Sequence, residues 1–273
     1  PESGCFHKGE KEKCFAYTHQ VFCDKNGFVL AKTTTPGNVH DSVAFFEVYN
    51  TLNKKFKDQI KNVCLDAGYV NPAICREIIL NGHTPLMPYK RPMTSKDFFK
   101  KYEYAYDEYY DCYICPNNEV LSYSTTDKNG YKQYKSNPDK CANCPLRDRC
   151  TKSKNHKKLV TRHIWEEYKE QANENRYTQN WKDNYPKRKE TIERVFGDCK
   201  EQHNLRFTRV RGLLKNGQNA TLIFACHNLK KMANWRWKKS SNKPLTISFF
   251  LKISKLFKKR GIFFFEHTFL STT

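Results

Sequence analysis

An Asn26-Gly27 pair between two apolar runs does most to limit what this chain can fold into. Phe15, Tyr17, Val21 and Phe22 precede Asp24-Lys25-Asn26-Gly27, and Phe28-Val29-Leu30-Ala31 follow, so residues 13–35 read as a β-hairpin. Pro36-Gly37-Asn38 breaks the second strand. Asp41 or Ser42 is placed to cap a helix whose apolar face is Phe45, Tyr49, Leu52 and Phe56. Residues 60–65 form a short apolar strand, ended by Asp66-Ala67-Gly68-Tyr69. Asn71 caps a second helix with Pro72 in its first turn, where the missing N–H costs nothing, and Gly82 stops it. Residues 85–89 are extended again. Hairpin, helix, strand, helix, strand spells a mixed sheet covered by helices, with ligands gathering at the carboxyl ends of its strands. Asp66 lies at such an end. An Asp before a Gly after a strand also serves as a plain turn residue, and the residues leave both roles open.

Residues 93–158 change character. Tyr102, Tyr104, Tyr106, Tyr109 and Tyr110 crowd ahead of Cys112-Tyr113-Ile114-Cys115 and Cys141-Ala142-Asn143-Cys144, with Cys150 beyond. Two Cys-x-x-Cys knuckles suit a ribbon-like zinc site, four thiolates around a tetrahedral ion. Five cysteines compete for four places. Cys115, Cys141, Cys144 and Cys150 are the expected ligands, with Cys112 able to replace Cys115; a loop of free thiols is the other reading. Of twelve cysteines these five are clustered and the rest scattered singly, which points to a reducing compartment rather than a disulfide scaffold.

Residues 159–239 are polar and helical. Within them, residues 188–200 read as an amphipathic helix with Ile192, Phe196 and Cys199 on its apolar seam, flanked by Val195. Glu193, Gly197 and Lys200 share an adjacent stripe, since seven residues make nearly two turns. A carboxylate and a lysine thus line one face with a glycine between them. By itself this helix is also consistent with an ordinary solvated glutamate. Arg206, Arg209 and Arg211 alternate with uncharged residues, a strip suited to a phosphate backbone or to a solvated edge. Residues 219–235 form a further helix, with Leu222, Ile223, Cys226, Leu229 and Met232 expected on its buried face. The basic and apolar tail, residues 240–273, reads equally as a packed helix, a polyanion-binding segment or a loose end.

Lys and Arg number 49 against 28 acids, a formal charge of +21, which points to a polyanionic partner such as nucleic acid. No 18-residue apolar run suggests a membrane span. The start at Pro1 has no basic-then-apolar leader and reads as a fragment of something longer.

Asp66-Ala67-Gly68-Tyr69 after an apolar strand, the Cys-rich insertion, and Glu193 with Lys200 seven residues on together resemble the DDE transposases of bacterial insertion sequences. The similarity runs from about Phe15 to Trp237 and includes residues 36–42 and 204–212. Order and separation carry it, since no single motif is specific. The resemblance implies an RNase H-like fold, a mixed sheet flanked by helices, with a Cys-rich zinc-ribbon-like insertion: residues 1–92 as the first part of the core, 93–158 as the insertion and 159–239 as the helical second part. It implies Asp66 as the second and Glu193 as the third acid of a two-Mg²⁺ site that cleaves and joins DNA, with Lys200 on phosphate. A Tyr and an Arg precede the Glu in the family. Tyr185 and Arg188 match, although Arg188 stands one residue farther from Glu193 than usual, which leaves Lys189 as an alternative. The family's first Asp lies on a strand before the hairpin. The expectation is therefore a chain missing its first strand, inactive alone, whose partners are transposon ends and further copies of itself on DNA, in a bacterial cytoplasm. The competing reading is a non-enzymatic zinc-ribbon protein that binds nucleic acid; an RNase H-like nuclease without strand transfer is a third.

Overall fold

The computed structural model describes residues 2–8, 12–91 and 93–239. The tail, residues 240–273, lies outside the described residues. The chain opens with β1 (Gly4–Lys8), β2 (Glu12–Cys23) and β3 (Val29–Pro36), an antiparallel sheet in that order. The hairpin expected from Asn26-Gly27 is β2–β3. Asp24 builds its turn by accepting the N–H groups of Asn26 and Phe28 on Oδ1, at 2.9 and 2.8 Å, and Gly27 takes a left-handed φ of 78°. The expectation of no strand before the hairpin is corrected: β1 stands there, pairing Gly4 with Ala16 through Lys8 with Glu12. It contains no Asp or Glu.

Alternation along β3 divides the structure. Ala31 packs with Val48 and Leu52 of α1 (Asp41–Phe56) on one side. On the other, the Lys32 ammonium donates to the Gly217 carbonyl of the last helix. The cap of α1 is His40, whose Nδ1 accepts the Ser42 N–H at 3.2 Å; Asp41 and Ser42 lie inside the helix instead. The expected face of α1 is buried at Phe45, Tyr49 and Leu52, joined by Val48.

Next come β4 (Asn62–Cys64), α2 (Pro72–Leu80) and β5 (Thr84–Leu86). β4 and β5 pair in parallel across the α2 crossover, in a two-stranded sheet separate from β1–β3. Asn71 caps α2 by accepting the Ala73 N–H at 2.9 Å, and Gly82 ends it at φ 80°. Phe45, Tyr49, Val63, Leu65, Ile74, Cys75 and Ile78 form the main core, completed by Met87 and Ala172.

β6 (Ala105–Asp107), β7 (Cys112–Ile114), β8 (Val120–Thr126), β9 (Tyr131–Ser136) and β10 (Leu159–His163) make an antiparallel meander in which each strand pairs with the next. Its core is Phe99, Tyr104, Tyr113, Leu121, Tyr134 and Val160. Two short helices, α3 (Pro138–Ala142) and α4 (Arg147–Cys150), fill the β9–β10 connection.

α5 (Glu166–Glu174) returns to α2, and buried Glu166 receives both Lys101 and Lys169 at 2.9 Å, which ties the start of the meander segment to the core. α6 (Gln179–Asn184) leads to a π-helical turn, Lys189–Glu193, then α7 (Arg194–Gln202) and α8 (Leu213–Lys239). α7 packs Val195 and Cys199 against Ala220, Ile223 and Phe224 of α8; Phe196 only joins the edge of that cluster. The expected buried face of α8 is corrected. Ile223 is buried with Asn216, Ala220, Phe224 and His227, whereas Leu222, Cys226, Leu229 and Met232 face solvent. Apolar residues on two faces defeat a reading that looks for one. Among the described residues no helix is long and apolar enough to cross a membrane.

Candidate active site

Asp66 ends the β4 register, one residue after Leu65, whose N–H still pairs with the Leu86 carbonyl at 3.1 Å. Its backbone stays extended, and its Oδ1 accepts the Gly68 N–H at 2.9 Å to cap the 3₁₀ turn Ala67–Tyr69. Gly68 makes this closure easy, because a Cβ there would come within 3.1 Å of Oδ1. The turn role and a functional role are compatible: one carboxylate oxygen holds the turn, and Oδ2 has no hydrogen-bond partner among the described residues.

The Tyr69 ring packs on Phe45 at 6.1 Å, and Phe45 lies one helical turn past Asp41, so the N-terminus of α1 borders the same corner. Burial raises the Tyr69 phenol far above its ordinary pKa; Asp41 and Asp66 push it the same way, and the Arg188 guanidinium opposes them. Tyr185 faces this corner too. Burial raises its pKa, hydrogen bonding and charge from Arg188 lower it, and Asp66 and Cys64 add upward pushes. Cys64, two residues before Asp66, is raised by burial and pulled down by Arg188. Three of the expected residues, Asp66, Tyr185 and Arg188, are therefore within electrostatic reach of one another near the end of β4. Trp181 steadies the group. It stacks on Tyr185 at 4.7 Å and 11° between planes, and its indole N–H donates to the Met87 carbonyl at 3.0 Å. Its spacing four residues before Tyr185 is the signal that could have found it.

The expected single helix over residues 188–200 is instead a π-helical turn running into α7. In an α-helix, residues five apart diverge by about 140° at roughly 100° per residue. The i→i+5 bonding of a π turn brings them onto nearly one face. The π turn falls within the Arg188–Glu193 interval, where the chain has its extra residue, and Arg188 is half-buried while Lys189 is exposed. Glu193, Gly197 and Lys200 are all exposed, and a Cβ at Gly197 would meet nothing within 4 Å. The stripe is open.

Arg206, Arg209 and Arg211 are exposed on the loop between α7 and α8, which turns rather than running extended. Arg206 pairs with Glu201. Buried Asn216 fixes the loop by donating to the Val210 and Gly212 carbonyls at 2.9 and 2.8 Å, a function with no signal in the residue pattern.

The zinc expectation gains no support. Cys150 has Cys141 and Cys115 as neighbours, but its thiol contacts the Tyr104 hydroxyl at 3.3 Å, and Cys115 Sγ accepts the Glu119 N–H at 3.4 Å. Cys144 belongs to the turn after α3, with its N–H on the Cys141 carbonyl. Among the described residues no three His, Cys, Asp or Glu side chains form a group that could hold a metal ion.

Residues 114–233 match a family model described as a transposase DDE domain. That stretch contains Tyr185, Arg188, Glu193 and Lys200; Asp66 lies before it. No curated protein and no solved structure matches the chain.

Proposed function

We propose that this chain, whose residues 114–233 match a transposase DDE domain model, is the part of an insertion-sequence transposase that carries its second and third acids. Asp66 and Glu193 are its candidate metal ligands. The observation that supports the reading is that Tyr185 and Arg188 lie within electrostatic reach of Asp66 near the end of β4, with a π turn, Lys189–Glu193, leading from Arg188 to Glu193. The donor chemistry fits Mg²⁺, a hard ion that takes carboxylate oxygens: Asp66 has an oxygen to spare and Glu193 is exposed. Two bound Mg²⁺ ions would activate the attacking water or 3′-hydroxyl and stabilise the leaving oxygen of an in-line displacement.

The remaining steps belong to side chains of the chain itself. Arg188, braced by Tyr185, presents a guanidinium fork to a non-bridging phosphate oxygen beside Asp66. Lys200 engages the backbone farther along the open stripe, and Arg206, Arg209 and Arg211 hold the flanking duplex by charge. Asp24 uses both carboxylate oxygens in the hairpin turn, and Asp41 begins α1 rather than standing on a strand before the hairpin, so neither is a ready first acid. The 273-residue chain by itself should bind DNA and cut it poorly. No specific observation favours a non-enzymatic zinc-ribbon protein.

Two measurements test the reading. Mn²⁺ binding followed by electron paramagnetic resonance should weaken at least tenfold in Asp66→Asn and in Glu193→Gln while DNA binding persists. Unchanged Mn²⁺ affinity in both variants would remove the acids from the proposed site. Nicking of supercoiled plasmid in Mg²⁺ should be weak. Vigorous cleavage that survives replacement of both Asp24 and Asp41 would overturn the need for a further acid.

A further inference from the structure

The connection from α4 to β10 gathers positive charge and leaves most of it unanswered. Between Arg147 and Lys158, six of twelve residues are Lys or Arg, and Asp148 is the one acid. Two of the six are used inside the connection. Arg147 donates to the Ala142 carbonyl at 3.1 Å, and the Lys158 ammonium donates to the Cys150 carbonyl at 2.8 Å. The other four, Arg149, Lys152, Lys154 and Lys157, are exposed and have no carboxylate partner among the described residues. Elsewhere on the meander the cations are paired, Lys132 with Asp111, Lys140 with Glu119 and Arg162 with Glu170.

The four cations stand on a closed platform. Thr151 Oγ1 donates to the Lys157 carbonyl at 3.0 Å and accepts the Ser153 N–H at 3.1 Å. The His156 N–H donates to the Ser153 carbonyl at 3.0 Å, and Ser136 Oγ of β9 accepts the Lys158 N–H at 2.9 Å. The Arg149 guanidinium lies 4.6 Å over the buried Phe99 ring, and the Lys152 ammonium 5.3 Å over the Phe98 ring. We propose that this platform holds the phosphate backbone of duplex DNA by charge. It is built from none of the residues assigned to the catalytic corner or to the loop before α8.

The platform's two rings decide for a duplex over a single strand. Single-strand binding draws on open aromatic faces on which bases stack. Here Phe99 is buried and Phe98 is half-buried beneath Lys152, so the platform offers charge without a stacking surface. Three of its four cations are lysines, compact point charges that meet phosphate oxygens without reading bases. Fixing their backbone beforehand lowers the ordering cost of binding. The proposal rests on the reading that DNA is the substrate, and adds a contact that reading does not contain.

Fluorescence anisotropy of the full chain on a duplex of about 30 base pairs, titrated at several salt concentrations, tests it. The triple variant Lys152→Gln, Lys154→Gln, Lys157→Gln should bind at least tenfold more weakly at about 0.1 M NaCl, and the slope of log binding constant against log salt should fall by about 3. Lys152→Arg, Lys154→Arg and Lys157→Arg together should keep the parent's affinity and slope. Mn²⁺ affinity and the far-ultraviolet circular dichroism spectrum should be unchanged in both triple variants. A parent chain that binds no duplex sinks the DNA reading and this proposal together. A parent that binds, with a slope the Gln variant leaves unchanged, overturns this proposal alone. A slope that falls for single-stranded DNA but not for the duplex overturns it as well. Should the Gln variant misfold, lysine acylation of the parent mapped by mass spectrometry decides the matter. Duplex should protect Lys152, Lys154 and Lys157 at least threefold more than exposed Lys54 and Lys55 of α1, and equal protection overturns the proposal.

Discussion

Asp111→Asn tests the electrostatics that hold the tyrosine-rich meander together. Asp111 lies in the turn between β6 and β7 at a left-handed φ of 45°, a conformation Asn tolerates as well as Asp, so the change removes charge without straining the backbone. The carboxylate accepts the Tyr134 hydroxyl at 2.6 Å and the Tyr106 hydroxyl at 2.7 Å on Oδ1, and the Lys132 ammonium at 3.0 Å on Oδ2. Tyr134 is fully buried, and its ring touches those of Tyr106, Tyr113 and Tyr123. Burial by itself would raise the Asp111 pKa; the two hydroxyls and Lys132 outweigh it and bring the carboxyl from 3.8 down to about 2.

That drop corresponds to roughly 2.4 kcal/mol at about 1.36 kcal/mol per unit. The side chain is 38% exposed, so solvent screening reduces the usable figure to about 1 kcal/mol. The sign follows from linkage. A folded-state pKa below the unfolded value gives stability that is present above pH 3.8 and lost as pH falls toward 2. Urea unfolding should therefore find Asp111→Asn about 1 kcal/mol less stable than wild type at pH 7, with the gap shrinking by about half at pH 3. A gap that is constant from pH 7 to pH 3 would refute the argument. So would a variant as stable as wild type at pH 7.

The remaining predictions concern the last helix and the arginine-bearing loop before it. Asn228 accepts the Val29 N–H at 2.9 Å and donates to the Val29 carbonyl at 2.8 Å, acting as a strand neighbour for β3. Asn228→Leu should cost about 2–4 kcal/mol in urea unfolding, because two partly buried backbone groups lose their partner; a cost under about 0.5 kcal/mol would mean water replaces it. Arg209→Gln with Arg211→Gln should lower the slope of log binding constant against log salt by about 2 for duplex DNA, measured by fluorescence anisotropy. An unchanged slope would take the loop away from phosphate.

The elements whose signals are local were readable from the chain. Asn26-Gly27, Asn71-Pro72 and the Phe45–Tyr49–Leu52 face each depend on residues a few positions apart, and each element formed where they placed it. What failed to show depends on distant residues. β1 exists by pairing with β2 across residues 9–11, and its short polar sequence carries no period to announce it. The two apolar faces of α8 could not be ranked, because burial is decided by Val195 and Cys199 arriving from α7. Asp66, at a strand end, and Glu193, on a helix stripe, are candidates that the sequence alone offers, and the structure places the first after β4 and the second, exposed, before α7. Cys64, Trp181 and Asp41 belong to that corner through contacts between separate elements, and spacing alone is silent about those. The knuckle-like cysteine spacings carried less than they promised, since four thiols at suitable intervals still need backbone turns that aim them at one point.

The one-residue misfit between Arg188 and Glu193 leads to a sharper test of the site. If the π turn exists to absorb that residue, deleting Lys189 should convert it to regular α-helix. The two side chains would then be four apart, again on one face, with α7 and its contacts to α8 undisturbed. Lys189 is exposed, so its removal empties nothing. The deletion variant should keep its thermal midpoint within a few degrees and retain the Mn²⁺ affinity of the parent. Inserting an Ala after Lys189 should instead turn Arg188 and Tyr185 away from Asp66, and Mn²⁺ or DNA affinity should fall although the core is untouched. If the deletion unfolds the chain while the insertion is tolerated, the turn is bearing on packing, and the alignment of Arg188 with Glu193 is incidental.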